Sequence, residues 1–223
     1  MKFSVIIPTH NEGSQIASAL RRLRTVSIAE SLEIILVDGG SDDGTVDGAR
    51  GLVDELMVQD SPNRGAQWHA GAMAAHGDLL LFLTPDAQLP GNWQQALEHF
   101  WLSGGLRQTS ATVFTVYYGA DFGYRLAGAL ANMAADWGSW PGGEHGLCTT
   151  PDIYRRCGGI PSAGREEMVF ARRLNRLGPI VRLSERIHPA GRRLRRIGPW
   201  AAILELAWMT LRSQLPARSG PPP

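Results

Sequence analysis

Apolar residues in the first third of the chain come in short unbroken runs, separated by stripes at three- and four-residue spacing. The run "FSVIIP" (3–8) is rich in β-branched side chains and ends on proline, which predicts a buried strand. Residues 12–24 put Ile16, Ala19, Leu20 and Leu23 on one helical stripe, with arginines on the other side. "LEIILV" opens a second strand at 32 and breaks into the Gly/Asp-rich turn "DGGSDDGT"; "TVDGARGLV" then reads as a glycine-weakened helix. "ELMVQD" (55–60) is a third short strand. The alanine-rich segment 64–76 is a helix, with Gly77 expected in a C-cap role. In "DLLLFLTPD" (78–86) polar and apolar residues do not alternate, so a fourth strand buried on both faces is expected.

The second half is less regular. "ATVFTVYYG" (111–119) alternates as a strand on the far side of the sheet, and 123–138 is a helix. Residues 140–161 hold a loop, a short strand and a short helix. Residues 165–178 carry the stripe Met168, Ala171, Leu174 and Leu177, ending at Gly178, and 179–189 form a last strand. Strand–helix alternation in short units predicts an α/β, Rossmann-like fold: a mostly parallel sheet with crossovers, flanked by helices. One domain is expected over 1–198. A C-terminal amphipathic helix follows over 199–215, with Trp200, Ile203, Leu204, Ala207, Trp208 and Leu211 on its apolar face, and then a disordered tail, 216–223.

In such sheets the loops after the strands' carboxyl ends line the ligand crevice. His10, Asn11 and Glu12 follow the first strand, Asp38 the second, and Asp86 the fourth, so three polar clusters are expected in one crevice. Asp42 and Asp43 have the look of turn and N-cap residues. Lys and Arg total 22 against 21 for Asp and Glu, so no global basic field argues for nucleic acid. The exception is "GRRLRRIG" (191–198), where Arg192, Arg193, Arg195 and Arg196 crowd together. Cys148 and Cys157 form neither a metal motif nor a disulfide framework, which suits a reducing cytoplasm. Neither a signal peptide nor a run of roughly 20 apolar residues is present. The C-terminal helix can pack on the core, join a second copy as a homodimer, or lie in a membrane interface beside the arginines.

The segments "SVIIPTHNEG", "EIILVDGGSDDGT", "RGAQWHAGAMAAHGDLLLFLTPD" and "REEMVFARRL", in this order, resemble family-2 glycosyltransferases of the GT-A fold, over roughly residues 3–196. The likeness is nearest to the small bacterial branch labelled "transferase 2, radical-SAM/selenodomain-associated". It implies transfer of a sugar from a nucleotide-diphosphate donor to the hydroxyl of an unknown acceptor, by an inverting route, in a cytoplasmic enzyme that is also a candidate for peripheral membrane contact. It also implies a nucleotide-sugar site at Pro8, His10, Glu12, Asp38, Gly39, Arg64, Asp86 and Glu144, with Arg192 and Arg193 clamping the leaving diphosphate. A cation, Mg2+ or Mn2+, would be held by Asp86 with His188. Glu167, preceded by Glu166, stands where the family has its general base. His69 sits where the family usually has asparagine and is expected only to pack. Three positions depart from the family pattern. Thr84 replaces the first acidic or histidine residue of the metal motif, Glu144 with His145 replaces Asp-Gln, and Glu167 replaces aspartate. These departures raise a second reading, a catalytically degenerate nucleotide-sugar-binding protein on the same scaffold.

Overall fold

The computed structural model describes residues 1–104, 109–136, 143–162, 166–189, 197–201 and 203–204. The first apolar runs become β1 (Phe3–Thr9), β2 (Leu32–Asp38), β3 (Glu55–Val58) and β4 (Leu79–Phe82). Every residue of β1, β2 and β4 is buried, as their missing alternation requires. β5 (Ala111–Val116), β6 (Leu147–Thr149) and β7 (Ile180–Ile187) complete one seven-stranded sheet of order β3-β2-β1-β4-β6-β5-β7. β1 pairs in parallel with β2 and β4, β2 with β3, and β5 with β7. Among the described residues β6 alone runs against its neighbours, so the sheet is mixed. The chain enters β6 at the carboxyl edge, where Leu147 lies opposite Phe82, the last residue of β4. The 3-10 turn Gly143–His145 is thereby held on the edge that carries the crevice.

The helices are α1 (Ile16–Thr25), α2 (Thr45–Ala49), α3 (Arg64–Ala74), α4 (Trp93–Leu102), α5 (Phe122–Asp136), α6 (Pro151–Arg156) and α7 (Glu166–Leu177). Ile6 and Phe82 are register partners and share one face of the sheet. α3 covers that face, with Gly71 pressed on Ile6 and Val37. Tyr154 of α6 and Phe170 of α7 pack on Phe82 with ring centroids 5.6 and 5.8 Å away. α4 lies on the opposite face, where Trp93 meets Phe3 edge-on at 5.1 Å.

Several local expectations change. Residues 12–15 form a turn, in which the Glu12 carbonyl accepts from the Gln15 and Ile16 amides, and α1 starts only at Ile16. α4 was not anticipated. Its signal is Trp93, Leu97 and Trp101, each four residues apart and fully buried. Gly77 is not the cap of α3: Ala75 takes that position in an extended conformation. A Cβ at Gly77 would lie 2.6 Å from Ser4 Oγ, so the glycine lets the chain pass β1. Residues 199–201 and 203–204 are helical, while 205–223, and with them the rest of the expected helix and the tail, lie outside the described residues.

Candidate active site

The carboxyl ends of β2, β1 and β4 stand side by side, with Thr9 the register partner of Asp38. Two strand spacings separate β2 from β4, about 10 Å. Pro8 is buried near the end of β1, and His10 is exposed just beyond it. Asp38 is fully buried and accepts three hydrogen bonds, from Thr9 Oγ1 at 3.2 Å, the Ser41 amide at 2.7 Å and Ser41 Oγ at 2.5 Å. A carboxylate offers about four lone pairs, so one is left beyond these three, on a side chain closed to solvent. The loops after β1 and β2 are laced together. Asn11 N–H donates to Ser41 Oγ at 2.8 Å, Glu12 N–H to Thr45 Oγ1 at 2.8 Å, and Gly13 N–H to Asp43 Oδ2 at 2.8 Å. The Thr45 hydroxyl and the Gly13 amide hold the Asp43 carboxyl below its usual range, so Asp43 is a turn residue as expected. Gly39 is needed for protein packing, since a Cβ there would lie 2.7 Å from Pro62 Cα.

Gln67, on α3, went unnoticed in the sequence. Its buried Nε2 donates to the Thr9 carbonyl at 2.8 Å and to the Val37 carbonyl at 2.7 Å, clamping the ends of β1 and β2. His69 stacks on Tyr154 and shares a 2.9 Å hydrogen bond with its hydroxyl, a packing role.

After β4 the chain turns through Thr84 and Asp86. Gln88 and His188 then form an isolated antiparallel bridge, with amide-to-carbonyl distances of 2.8 and 3.0 Å. This bridge brings His188 to within two residues of Asp86 along the loop, and the His188 ring meets Tyr117 edge-on at 5.3 Å. Thr84 is buried, and its hydroxyl has no hydrogen-bond partner among the described residues. Among the described residues no three His, Cys, Asp or Glu side chains gather to hold a metal ion. The donor set does not fit a cation held by the protein alone, because hard divalent ions ask for six or more oxygen ligands.

Facing β4 is the first turn of α7. Glu167 is only 8% exposed and lines a small pocket with Trp68, Phe82, Gly143, Leu147, Ile160 and Phe170. Burial pushes its carboxyl above the ordinary range, and Glu144 and Glu166 add to this; Arg64 and the Gly143 amide oppose it. Arg64, the first residue of α3, reaches Glu167 Oε1 at 3.3 Å and Glu166 Oε1 at 3.4 Å, with its guanidinium carbon 5.3 Å from the Trp68 ring centroid. α7 can approach α3 this closely because residue 65 is glycine: a Cβ there would lie 2.2 Å from the Pro161 carbonyl oxygen and 3.0 Å from Glu166 Cβ. Asn63 caps α3 through the Ala66 amide and ties down the Ser162 carbonyl at 2.7 Å. Tyr118 donates to Glu144 Oε2 at 3.0 Å. His145 is buried, and burial depresses its pKa to about 4, leaving the ring neutral.

Asp38, Asp86, Glu144, Glu166, Glu167, Arg64 and His188 thus belong to one edge of the sheet, with Pro8, His10 and Glu12 at the end of β1, next to β2, while the pocket lined by Glu167 includes neither Asp38 nor Asp86. Arg192 and Arg193 lie outside the described residues.

Comparison with known proteins gives three results. Glycosyl transferase family 2 matches residues 4–157. The undecaprenyl-phosphate 4-deoxy-4-formamido-L-arabinose transferases of Salmonella choleraesuis (strain SC-B67) and Salmonella typhimurium (strain LT2) are each 34% identical over 98 residues. That alignment takes in 40% of this chain and 30% of those curated relatives. Among solved structures, the mannosyltransferase PcManGT from Pyrobaculum calidifontis, in complex with GDP-Man and Mn2+, superposes with a TM-score of 0.69 at 17% identity, over 100% of this chain and 66% of that one. Glucosyl-3-phosphoglycerate synthase from Mycobacterium tuberculosis superposes at 0.66 and 19% identity, over 97% of this chain and 81% of that one. At such identities the superpositions speak for the fold alone. The family match runs through β1, β2 and β4 and on to α6, well over half of the sequence, and the chain belongs to glycosyl transferase family 2.

Proposed function

We propose that the protein transfers a sugar from a nucleoside-diphosphate donor to an acceptor hydroxyl, with inversion at the anomeric carbon and Glu167 as general base. The observation that carries this reading is the buried Glu167 carboxylate, opposite Phe82 at the end of β4, on the edge where β2 ends at Asp38 and the loop after β4 carries Asp86. The acceptor's hydroxyl proton passes to Glu167 as its oxygen bonds to the anomeric carbon. The bond from that carbon to the diphosphate oxygen breaks, and its electron pair leaves on the nucleoside diphosphate. A base works best when its pKa lies toward the working pH, and burial moves Glu167 that way.

The donor's nucleoside is assigned to Pro8, His10, Glu12, Asp38 and Gly39, and its diphosphate to Arg64, with Arg192 and Arg193 joining from the basic segment; Asp86, with His188, would meet the diphosphate only through a divalent cation that the diphosphate itself helps to hold. Glu144 faces the sugar. The relatives that act on undecaprenyl phosphate, together with the exposed Phe122, Trp200 and Leu204, support an enzyme attached peripherally to a membrane. Among the described residues no helix is long and apolar enough to cross one. Residues 1–198 are the catalytic unit in this reading, and 199–215 are an appended helix.

One observation favours the alternative of binding without turnover: the Thr84 hydroxyl is buried where a metal-binding side chain is expected. Titration calorimetry with UDP and GDP, with and without Mn2+, separates the readings when combined with donor hydrolysis and Glu167→Gln. We expect Glu167→Gln to keep nucleotide affinity and to lose turnover by about 100-fold or more. Undiminished turnover refutes Glu167 as base, and binding with no hydrolysis or transfer by the native protein favours the degenerate reading.

A further inference from the structure

Among the described residues Arg64 touches both carboxylates that open α7. Its contacts with them, at 3.3 and 3.4 Å, are long for charge-assisted pairs, and its side chain is 46% exposed. It projects from the first turn of α3, on the carboxyl side of β3, and rests on the Trp68 ring. Only the arginine is half-exposed, while Glu166 and Glu167 are 17% and 8% exposed, so Arg64 leaves them only for a better anion, and a buried carboxylate left behind tends to take up a proton. A diphosphate presents several oxygens in the geometry a guanidinium fork prefers.

We propose that Arg64 is a donor-responsive positioning residue, shared between the α7 carboxylates when the site is empty and the donor diphosphate when it is filled, so that donor binding uncovers Glu167 for the acceptor. This rests on the glycosyl-transfer reading and adds an order of events to it. Glu167 is faced by Arg64 from α3, by Glu144 and the Gly143 amide from the turn before β6, and by Glu166 from its own helix. Once Arg64 swings to the diphosphate, the groups left around Glu167 among the described residues are two carboxylates and one amide. Its proton affinity then rises, at the stage when the acceptor's proton must be taken. With Arg64 still in place, before a donor binds, Glu167 is the weaker base.

The test is proton linkage to donor binding. A panel of UDP-, GDP-, dTDP- and CDP-sugars is titrated calorimetrically in buffers of different ionisation enthalpy, from mildly acidic to neutral pH. These donors carry no phosphate that titrates there, so the slope against buffer enthalpy reports the protein. Native protein is expected to take up a fraction of a proton on binding the donor, and both Arg64→Met and Glu167→Gln are expected to lose that uptake. The pH profiles give a second readout. In native protein the acid limb of kcat/KM for the acceptor at saturating donor, which reports the donor complex, should lie at higher pH than that of kcat/KM for the donor, which reports the free enzyme. In Arg64→Met the two limbs should coincide, and Arg64→Lys should restore part of the gap. Uptake unchanged in Arg64→Met, or absent from native protein that binds a donor, overturns the proposal while leaving glycosyl transfer standing. Failure of every donor in the panel to bind removes the glycosyl-transfer reading and this inference with it.

Discussion

Replacing Gly65 by alanine sets two effects of opposite sign against each other. In an ordinary helix interior the change stabilises by about 1 kcal/mol, because glycine loses more backbone freedom on folding than alanine. Here the new methyl would sit 2.2 Å from the Pro161 carbonyl oxygen and 3.0 Å from Glu166 Cβ. The first contact is too short for any Cβ to keep, and it is made to backbone, so no rotamer change relieves it. α3 and the start of α7 must separate by about 1 Å, and such overpacking costs about 1–3 kcal/mol. The close backbone contact argues for the upper end, leaving a net loss of about 2 kcal/mol. With an urea m-value of about 2–3 kcal/mol/M for a domain of this size, the midpoint should fall by about 0.7–1 M. The same displacement carries Glu166 and Glu167, and a 1 Å error at a reacting centre costs about 100-fold in rate. Gly91→Ala is the control, because its methyl would meet nothing within 4 Å. It should leave both readouts nearly unchanged. If Gly65→Ala proves more stable than native protein and keeps full turnover of the donor, the packing of α7 on α3 described above is wrong.

Other expectations follow from the same geometry. Burial raises Glu167's pKa, so its contribution to stability is complete below its usual 4.5 and is lost as pH climbs through the raised value. Glu167→Gln should therefore unfold at higher urea than native protein near neutrality, with the difference closing in acid. Glu33 has the opposite sign: burial alone would raise its pKa, but hydrogen bonds from Ser4 and from the His76 amide and ring, with help from Lys2, outweigh burial and lower it. Its support is present above 4.5 and lost as pH falls through the depressed value, so Glu33→Gln should cost about 1–3 kcal/mol near neutrality and progressively less in acid. Gln67→Leu strips a donor from two strand-end carbonyls and should cost about 1–3 kcal/mol by urea titration, with weaker nucleotide binding in calorimetry.

The strand–helix alternation of the first 86 residues could be read directly, because burial on both faces writes itself as unbroken apolar runs such as "LLLF" and "EIILV". With the strands came their ends, and so the loops that carry His10, Asp38 and Asp86. α4 went unread, although Trp93, Leu97 and Trp101 repeat at helical spacing, because it follows a Pro- and Gly-bearing loop that hides where the helix begins. Gly77 was misassigned for a different reason. A capping glycine and a glycine that makes room for Ser4 look alike in sequence, and only the neighbour 73 residues away tells them apart.

Local pattern thus determined which segments are strands and that their ends are polar. It did not determine what those ends face. The antiparallel entry of β6, the bridge from Gln88 to His188, Gln67's clamp on β1 and β2, and the meeting of Arg64 with Glu166 and Glu167 all join residues 30 to 103 positions apart. Contacts of that span leave no periodic trace in the chain, because they are set by how layers stack on the sheet. The family resemblance marked Glu167 as a candidate base, but only the packing of α7 on α3 shows that it is buried beside an arginine.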